Sequence, residues 1–380
     1  MEFRSLSRQY KKLKTQIDEA ISNTLSNSVF IGGPPVISLE KNLAKAADRE
    51  HCITCANGTD AIELILHAWE IGEGDAVFVP DFTFFATAEP VAMLGATPIF
   101  VDVHPDTFNM DAQKLSNAID IVAKQGRLQP KAIIVVDLYG QTADYDAIQQ
   151  VAERHNLLVF EDAAQSFGAS YKGRPSCSFG HAATTSFFPA KPLGCYGDGG
   201  AIFTDDAEKA ALIRSLVVHG KGADKYDNVR IGRNSRLDTI QAAILQVKLD
   251  ALYAYELNDV NNAATIYTQM LTTSRTPVGL PNVPESMFSS WAQYTVRLAE
   301  GTDRAHVIDA LAKNGIPAMV YYPKPLRHQT AFKSYIDAAL PPRNVSEELS
   351  KTVLSLPMHP YLHDSEIEKV CSVLHQCLTS

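Results

Sequence analysis

The segment LLVFEDAAQSFGASY, residues 157–171, joins a continuously apolar run to two acidic residues and then to small residues. An apolar run without polar alternation is typical of a strand that is covered on both faces, as in a parallel sheet flanked by helices. Its acidic end, Glu161 and Asp162, would lie at the carboxyl edge of that sheet, where open α/β proteins usually bind ligands. The segment therefore predicts an α/β fold and a functional site at the carboxyl edge of its sheet.

The same pattern recurs before and after this segment. Short strand-like runs alternate with helical segments, an order that suits right-handed crossovers between parallel strands. The runs are HCITCA (51–56), DAVFVP (75–80), TPIFVDV (97–103), AIIVVDL (132–138), TTSFF (184–188) and GGAIFT (199–204). We therefore predict an α/β fold with an open, mostly parallel sheet over residues 36–250.

An amphipathic helix within residues 1–30 precedes the sheet, and a smaller α+β unit follows it. The predicted elements after the sheet are a helix over about 238–262, a YTVRL strand (294–298), a helix over 304–314, a PAMVYYP strand (317–323) and a closing helix. We interpret residues 1–250 as a large α/β domain and residues 251–380 as a small C-terminal α+β domain, because 380 residues exceed the usual size of one core.

Composition and charge argue against several classes of function. Hydrophobic residues make up 46% and charged residues 20%, which is typical of an ordered globular protein. The formal charge is −9, and the densest cationic cluster, residues 8–14, is interleaved with apolar residues at helical spacing, so we expect no nucleic-acid partner. No signal-peptide core and no membrane-spanning apolar run is visible, so we expect a cytoplasmic protein without membrane contact.

The six cysteines indicate reduced, mostly buried thiols and no disulfide framework. Cys52 and Cys55 form a CxxC pair, but they lie on a predicted strand and lack a second pair, so we predict no metal site. Cys371 and Cys377 fall on the apolar stripe of the closing helix, where we interpret them as packing residues.

The turn after the first strand offers a place for an anion. In CANGTDAIELIL (55–66), Gly58 lets the backbone approach a ligand, and Thr59 adds a hydroxyl to the free amides of a helix N-terminus. A capped helix start without any ligand explains these residues equally well. After the next strand, PDFTFFATAEP (80–90) carries three phenylalanines, one of which could stack on a planar ring while the others pack in the core.

Two further strand ends carry groups of opposite charge. Asp162 ends a buried strand, where a carboxylate is costly unless it is paired; it could cap a helix at residues 163–165 or face a cationic ring nitrogen. Lys191, between two prolines in SFFPAKPLGCYGDGG (186–200), follows another strand and can reach the same edge. Its glycines come after the lysine, which is the wrong order for a GxxxxGK[ST] loop, and no GxGxxG follows the first strand.

Pyridoxal 5'-phosphate fits these observations better than a nucleoside triphosphate or a nicotinamide dinucleotide does. Its chemistry needs a lysine amine for a Schiff base, an acid beside the pyridine nitrogen and an anion site for the phosphate. Lys191, Asp162 and the predicted helix N-terminus at Gly58 supply these three groups.

With these residues in place, the chain resembles the DegT/StrS-type sugar aminotransferases, fold-type I enzymes that depend on pyridoxal phosphate. The resemblance runs from near the N-terminus to MHPYL (358–362). It implies that Lys191 holds the cofactor covalently and that Asp162 pairs with the pyridine nitrogen. Some relatives carry histidine in place of the lysine and act as sugar dehydratases, so Lys191 indicates an aminotransferase. The further cofactor contacts that it implies are Gly58, Thr59 and Ser186 at the phosphate, Phe84 on the ring, Gln165 near the 3-hydroxyl, and Asn234 from the neighbouring subunit of a homodimer with shared active sites.

Within the family, segments such as NSRLDTIQAAIL and SLPMHPYL look most like enzymes that aminate UDP-2-acetamido-2-deoxy-3-keto-glucuronate, with glutamate as the expected donor. This implies a role in surface polysaccharides such as lipopolysaccharide O-antigen. An aminotransferase for C4 of a 4-keto-6-deoxy sugar nucleotide and a non-enzymatic, cofactor-binding regulator remain as alternatives.

The candidate residues for the sugar nucleotide are Arg236, Tyr321, Lys324 and His359, with Arg327 as a further one. Cationic side chains suit the uronate carboxylate and the diphosphate, which are both anionic. For the charged candidates, an ordinary surface or helix-capping role explains the residues equally well. The relatives commonly carry His-Tyr-Pro where this chain has Tyr321-Tyr322-Pro323, so the chain departs from them in the expected sugar-binding region.

Overall fold

A computed structural model describes residues 1–224, 226–335 and 340–379 and confirms an α/β fold around a mostly parallel sheet. The strands are β1 (His51–Cys55), β2 (Asp75–Pro80), β3 (Thr97–Val101), β4 (Gln129–Val136), β5 (Leu158–Asp162), β6 (Ser170–Tyr171), β7 (Arg174–Pro175), β8 (Ala182–Ser186), β9 (Gly200–Thr204), β10 (Val278–Gly279), β11 (Met287–Phe288), β12 (Tyr294–Leu298) and β13 (Val353–Leu356). Seven of them form the central sheet in the order β1-β9-β8-β5-β4-β2-β3. All its pairs are parallel except those of β9, which runs antiparallel to β1 and β8.

Helices cover both faces of the central sheet and build most of the remaining chain. They are α1 (Leu6–Asn27), α2 (Pro34–Ala46), α3 (Gly58–Ala68), α4 (Glu89–Met93), α5 (Ala112–Gln125), α6 (Tyr145–His155), α7 (Ala207–Leu216), α8 (Thr239–Ala251), α9 (Leu257–Thr273), α10 (Arg304–Lys313), α11 (Asn344–Thr352) and α12 (Asp364–Thr379). Within the described ranges, no helix is both long and apolar enough to cross a membrane.

The continuous apolar runs of the sequence are explained by burial on both faces of the sheet. Neighbouring residues of β4 point to opposite sides: Ile134 joins the core formed with α3, α4 and α7, whereas Ile133 joins the core formed with α5 and α6. Both side chains are fully buried. A third core, under α2 and α8, covers the β1-β9-β8 end of the sheet.

The predicted long helix is longer than expected. It begins at Thr239, passes from α8 through a π-helical turn at Leu252–Glu256 and ends with α9 at Thr273. The domain division that we placed at residue 250 falls inside this continuous helical segment, and it stays an interpretation. Helices α9, α10 and α12 share one core with the three-stranded antiparallel sheet β10-β12-β13.

The prediction of a strand over 317–323 is wrong. Only Met319 makes an isolated bridge, to Ser355 of β13. Pro317 and Pro323 remove two amide donors, so the segment cannot complete a ladder. The sequence prediction also missed β13, which pairs with β12.

The thiols lie where the sequence predicts them. Cys52 and Cys55 are buried on β1, and burial raises the pKa of both thiols, which leaves little reactive thiolate. Cys371 is buried in the small core, and Cys377 packs against that core from its edge.

Candidate active site

The register of the central sheet brings two distant turns together. Cys55 at the end of β1 and Ser186 at the end of β8 both pair with Gly200, the first residue of β9 between them. The turns that follow β1 and β8 therefore leave the sheet side by side. Gly58 lies so close to Ser186 that a Cβ atom on Gly58 would be 2.8 Å from the Ser186 Cβ.

The N-terminus of α3 presents free donors at this edge. The Asn57 side chain accepts from the Asp60 amide at 2.8 Å, and the Asn57 carbonyl accepts from the Ala61 amide at 3.1 Å. Across the described ranges, the amides of Gly58 and Thr59 have no hydrogen-bond partner, as expected for the first residues of a helix. Two free amides at the positive end of a helix, beside the hydroxyl of Ser186, are the kind of donors that bind an anion.

Asp162 ends β5 at the same edge and is 5% exposed. Its carboxylate accepts from the Thr87 hydroxyl at 3.0 Å and from the Ala164 amide at 3.2 Å. Burial raises its pKa, against the opposing effects of the Ala164 amide, the Lys191 charge and the Thr87 hydroxyl. Of the two alternatives for Asp162, the helix cap does not hold, because residues 164–168 form turns and residues 163–169 contain no helix.

Lys191 follows the end of β8, in a compact turn. Its amide donates to the Phe188 carbonyl at 2.9 Å, and Gly194 is so tightly packed that a Cβ there would be 2.5 Å from the Pro189 oxygen. Burial lowers the pKa of the Lys191 amine, Asp162 raises it, and Arg4 lowers it. Lys191 and Asp162, 29 positions apart in the sequence, therefore interact electrostatically in the fold.

The structure distinguishes the three phenylalanines that follow β2. Phe82 is 1% exposed, and Phe85 stacks on Phe332 with 4.9 Å between ring centroids, so both are packing residues. Phe84 is 54% exposed, and its ring centroid is 6.1 Å from that of Tyr322. Only Phe84 of the three has a face free for a planar ligand.

Gln165 is held at both ends of its amide. Its Oε1 accepts from the Tyr139 amide at 2.8 Å, and its Nε2 donates to the Tyr322 hydroxyl at 3.0 Å. Sequence reasoning missed Tyr322 and Thr87 as members of this site. The sole sequence signal for Tyr322 was the segment Tyr321-Tyr322-Pro323. Thr87 gave no signal, because its partner, Asp162, is 75 positions away.

The segment 232–236 adjoins the same edge. The Ser235 hydroxyl accepts from the Ala56 amide at 3.1 Å, which ties the segment to the turn before α3. Asn234 is exposed beside it, and Arg236 is half-buried. Of these residues, Asn234 is the one whose side chain is open to a second molecule.

The candidates for the sugar nucleotide separate into two groups. Tyr321 is half-buried beside the Gln165–Tyr322 pair, and Lys324 is exposed nearby in the chain. Arg327, in contrast, is buried in ion pairs with Asp81 and Glu347.

His359 is also buried in the protein interior. Its ring is 1% exposed, and its Nδ1 accepts from the Tyr361 amide at 3.2 Å. A buried ring offers no free face to an anionic ligand. The guanidinium of Arg327 is not available to one either, because it is already paired with carboxylates. The structure thus corrects the expectation that both bind the substrate, because neighbouring elements cover them.

The residues at this edge fit pyridoxal 5'-phosphate. The unpartnered amides of Gly58 and Thr59 suit a phosphate, and the space that a Cβ on Gly58 would fill keeps the Ser186 hydroxyl within reach. Phe84 offers a free aromatic face, and the buried carboxylate of Asp162 suits a cationic ring nitrogen.

The chain matches the DegT/DnrJ/EryC1/StrS aminotransferase family over residues 11–375. It belongs to this family. The UDP-2-acetamido-2-deoxy-3-oxo-D-glucuronate aminotransferase of Pseudomonas aeruginosa is 45% identical over 98% of this chain and 99% of its own length. A protein of Geobacillus stearothermophilus described as a pleiotropic regulatory protein is 42% identical over 96% of this chain and 95% of its own.

Solved structures agree with the family assignment. A DegT/DnrJ/EryC1/StrS aminotransferase from Brucella abortus superimposes with a TM-score of 0.95, at 46% identity and with both chains fully covered. A sugar aminotransferase from Streptococcus pneumoniae, solved in its PLP form, superimposes with a TM-score of 0.86 at 26% identity over 96% of each chain. DegT-family aminotransferases depend on pyridoxal phosphate, and this chain is accordingly a PLP-dependent sugar aminotransferase.

Proposed function

We propose that this DegT-family enzyme transfers the amino group of glutamate to the C3 ketone of UDP-2-acetamido-2-deoxy-3-keto-glucuronate. The observation that carries the choice of substrate is the Pseudomonas aeruginosa relative, which is named for this sugar nucleotide and matches nearly the whole chain. The reaction type is supported by the buried Asp162 and the opposed Lys191 at the carboxyl edge of the sheet.

Lys191 and Asp162 would divide the proton chemistry between them. When bound, pyridoxal phosphate supplies a protonated ring that withdraws electrons from the reacting carbon. Asp162 would hold the proton on the ring nitrogen, since a buried carboxylate is stabilised by a cation beside it. The Lys191 Nζ would carry the proton from the α-carbon of the amino donor to C4' of the cofactor, so that the amino group stays with the cofactor when the keto acid leaves. Its lowered pKa favours the neutral amine that this task requires.

The remaining predicted cofactor contacts would hold the group in place. Gly58, Thr59 and Ser186 would bind the phosphate through two amides and a hydroxyl. Phe84 would stack on the ring, and Gln165, itself fixed by two hydrogen bonds, would contact the 3-hydroxyl side.

We further propose that the enzyme is a homodimer in which Asn234 completes the phosphate site of the partner subunit. Support comes from exposed apolar side chains in residues 29–37 and at residue 231. The residues are Val29, Phe30, Ile31, Ile37 and Ile231, each between 42% and 87% exposed. The Thr239 amide and hydroxyl bind the carbonyls of Phe30 and Gly32, which joins the two segments that carry them. A surface of this kind is typical of an interface.

For the sugar nucleotide, we propose Arg236 as the principal cationic contact, with Tyr321 and Lys324 beside it. Arg236 is half-buried and adjoins the turn before α3 through Ser235, and a guanidinium suits a carboxylate or a diphosphate. We place the reaction in the cytoplasm, in the synthesis of a surface polysaccharide such as lipopolysaccharide O-antigen. Deletion of the gene should remove an amino sugar from that polysaccharide, and fractionation should recover the enzyme with cytoplasmic markers.

A coupled assay tests the proposed reaction. The purified enzyme, loaded with pyridoxal phosphate, is offered glutamate together with either the 3-keto-uronate or a 4-keto-6-deoxy UDP sugar, and 2-oxoglutarate is measured. Turnover with the first sugar alone supports the proposal, and preference for the second would assign the enzyme to C4 amination instead. Absence of turnover with both sugars and several amino donors, despite bound cofactor, would favour a regulator, a role that the Geobacillus stearothermophilus relative carries in its name. Lys191→Ala is the inactive control.

A further inference from the structure

Two cationic side chains from distant segments bind the backbone of the turn that carries Lys191. The Arg4 guanidinium donates to the carbonyl oxygens of Lys191 at 2.8 Å and of Pro192 at 3.3 Å. The Lys248 Nζ, in a side chain that is 1% exposed, donates to the Gly194 carbonyl. Three carbonyls within four residues thus have charged donors, although none of the donors lies in the turn.

The backbone of this turn has few ways to satisfy those carbonyls by itself. Pro189 and Pro192 carry no amide proton, and the glycine at 194 is enclosed by the oxygens of Phe188 and Pro189. Charged donors form shorter and stronger hydrogen bonds than neutral ones. The N-terminal segment and α8 therefore fix the conformation of the turn from outside it.

The charges around the turn are unequal on its two sides. Glu256, 2% exposed, is the carboxylate that acts on both Arg4 and Lys248, and its Oε1 also accepts from the Gln9 side-chain Nε2 at 2.8 Å. One carboxylate opposes two cations, so this side of the turn is positive. Asp162 is the carboxylate whose charge acts on the Lys191 amine. Arg4 and Asp162 therefore act on the Lys191 amine in opposite directions.

We propose that Arg4 and Lys248 are positioning residues for Lys191: by binding the carbonyls of its turn they aim the amine at the carboxyl edge of the sheet, and Arg4 adds a positive charge beside that turn. The inference rests on the proposed role of Lys191. It assigns a task to the first residues of the chain, which precede the main sheet and lie far from Lys191 in the sequence.

Competitive labelling of the cofactor-free protein tests the proposal without using turnover. Trace acetic anhydride is applied between pH 6 and 11, and the acetylated fraction of Lys191 is read by mass spectrometry against a free-amine standard. Arg4→Met removes a cation and should raise the pH midpoint of labelling. Arg4→Lys keeps the charge and should leave the midpoint where it is in the parent.

A second measurement separates aim from charge. Lys248→Met and Arg4→Met should each weaken binding of pyridoxal phosphate to the cofactor-free protein by about tenfold, a loss of about 1.4 kcal/mol, because the turn is no longer held. Arg8→Met is the matched control: Arg8 binds Glu366 and the Tyr361 carbonyl, away from the turn, and should change neither quantity.

The proposal is overturned if Arg4→Met labels with the parent's midpoint, or if Arg8→Met moves the midpoint and the affinity equally far. Should Arg4→Met fail to fold by circular dichroism, Lys248→Met decides the question through the affinity for pyridoxal phosphate, and an affinity equal to that of the parent overturns the proposal. Labelling reports on the amine itself, so a failure of this inference is distinguishable from a failure of the proposed reaction.

Discussion

Adjacent residues of β5, Glu161 and Asp162, show how one strand sends two carboxyl groups into different environments. Glu161 accepts from the amides of Cys177 at 2.6 Å and Phe179 at 2.8 Å, and burial together with Asp137 raises its pKa well above the ordinary range. Asp162 points to the other face, where Lys191 stabilises its charge. The alternation of a strand thus separates a carboxyl group held by the protein interior from one that is available to a ligand.

Asp162→Asn should reduce kcat by about 10²–10⁴-fold, because a neutral amide does not hold a proton on the ring nitrogen. Stopped-flow or steady-state transamination with the cofactor-loaded variant measures this. Thr87→Val, which removes one hydrogen bond to the same carboxylate, should lower kcat by about tenfold or less. A kcat for Asp162→Asn close to that of the parent would contradict the assigned role.

His359 should make the protein sensitive to acid. Burial, followed by the charges of Arg4 and Arg8, lowers its pKa from 6.5 to about 4. The unfolded chain then binds this proton more tightly than the folded one, so stability is lost as the pH falls from about 6.5 towards 4, by up to about 3 kcal/mol. Urea unfolding at pH 7.5, 5.5 and 4.5 should show a shallower loss for His359→Asn; parallel pH profiles would refute this.

The start of α3 shows how the tertiary structure adds further donors to a helix terminus. The Asn57 side chain caps α3, and the amides of Gly58 and Thr59 remain free. The register of β1, β9 and β8 adds Ser186 to them. The absence of a side chain at Gly58 is what lets the two turns approach each other.

Gly58→Ala should weaken pyridoxal phosphate binding by about tenfold or more, since its Cβ would lie 2.8 Å from that of Ser186 and displace the hydroxyl. Gly72→Ala is the matched control, because its nearest neighbour, the Leu94 carbonyl, would be 3.8 Å away. Fluorescence titration of the cofactor-free proteins gives both affinities. Equal affinities for the two variants would argue against the phosphate site.

The chain taken as a whole has an apolar surface that a monomer would leave in water. Val29, Phe30, Ile31 and Ile37 are exposed near the junction of α1 and α2, and Ile231 is 87% exposed beside the segment that carries Asn234. Burial of this surface in a homodimer would also bring Asn234 to a second molecule. The proposed shared active site follows from these two features together.

Mixing two inactive variants tests that arrangement. Lys191→Ala subunits keep Asn234, and Asn234→Ala subunits keep Lys191, so a hybrid dimer contains one complete site if Asn234 acts across the interface. Refolding the two variants together should then restore up to about a quarter of the parent activity, since half of random dimers are hybrids with one site each. Activity no higher than the mean of the separate variants would place Asn234 in its own subunit's site.

Consecutive residues were sufficient to predict much of this enzyme. The apolar runs predicted the buried parallel sheet, and the strand ends that carry Gly58, Asp162 and Lys191 predicted the cofactor. Each of these signals lies within a few neighbouring positions, where strand period, turn chemistry and residue type are legible. The resemblance to the family singled out Phe84 as the predicted ring-stacking residue. The sequence pattern alone did not choose among the three phenylalanines.

Other features depend on which distant residues meet. Arg327 carries a guanidinium, a group that often binds anions, but it is paired with Asp81, 246 positions earlier. His359 is enclosed by the N-terminal segment. Thr87, Tyr322, Arg4 and Lys248 acquire their contacts with the site in the same way. Burial and pairing are properties of the folded chain, because the free energy of a charge depends on the groups around it and not on its neighbours in sequence.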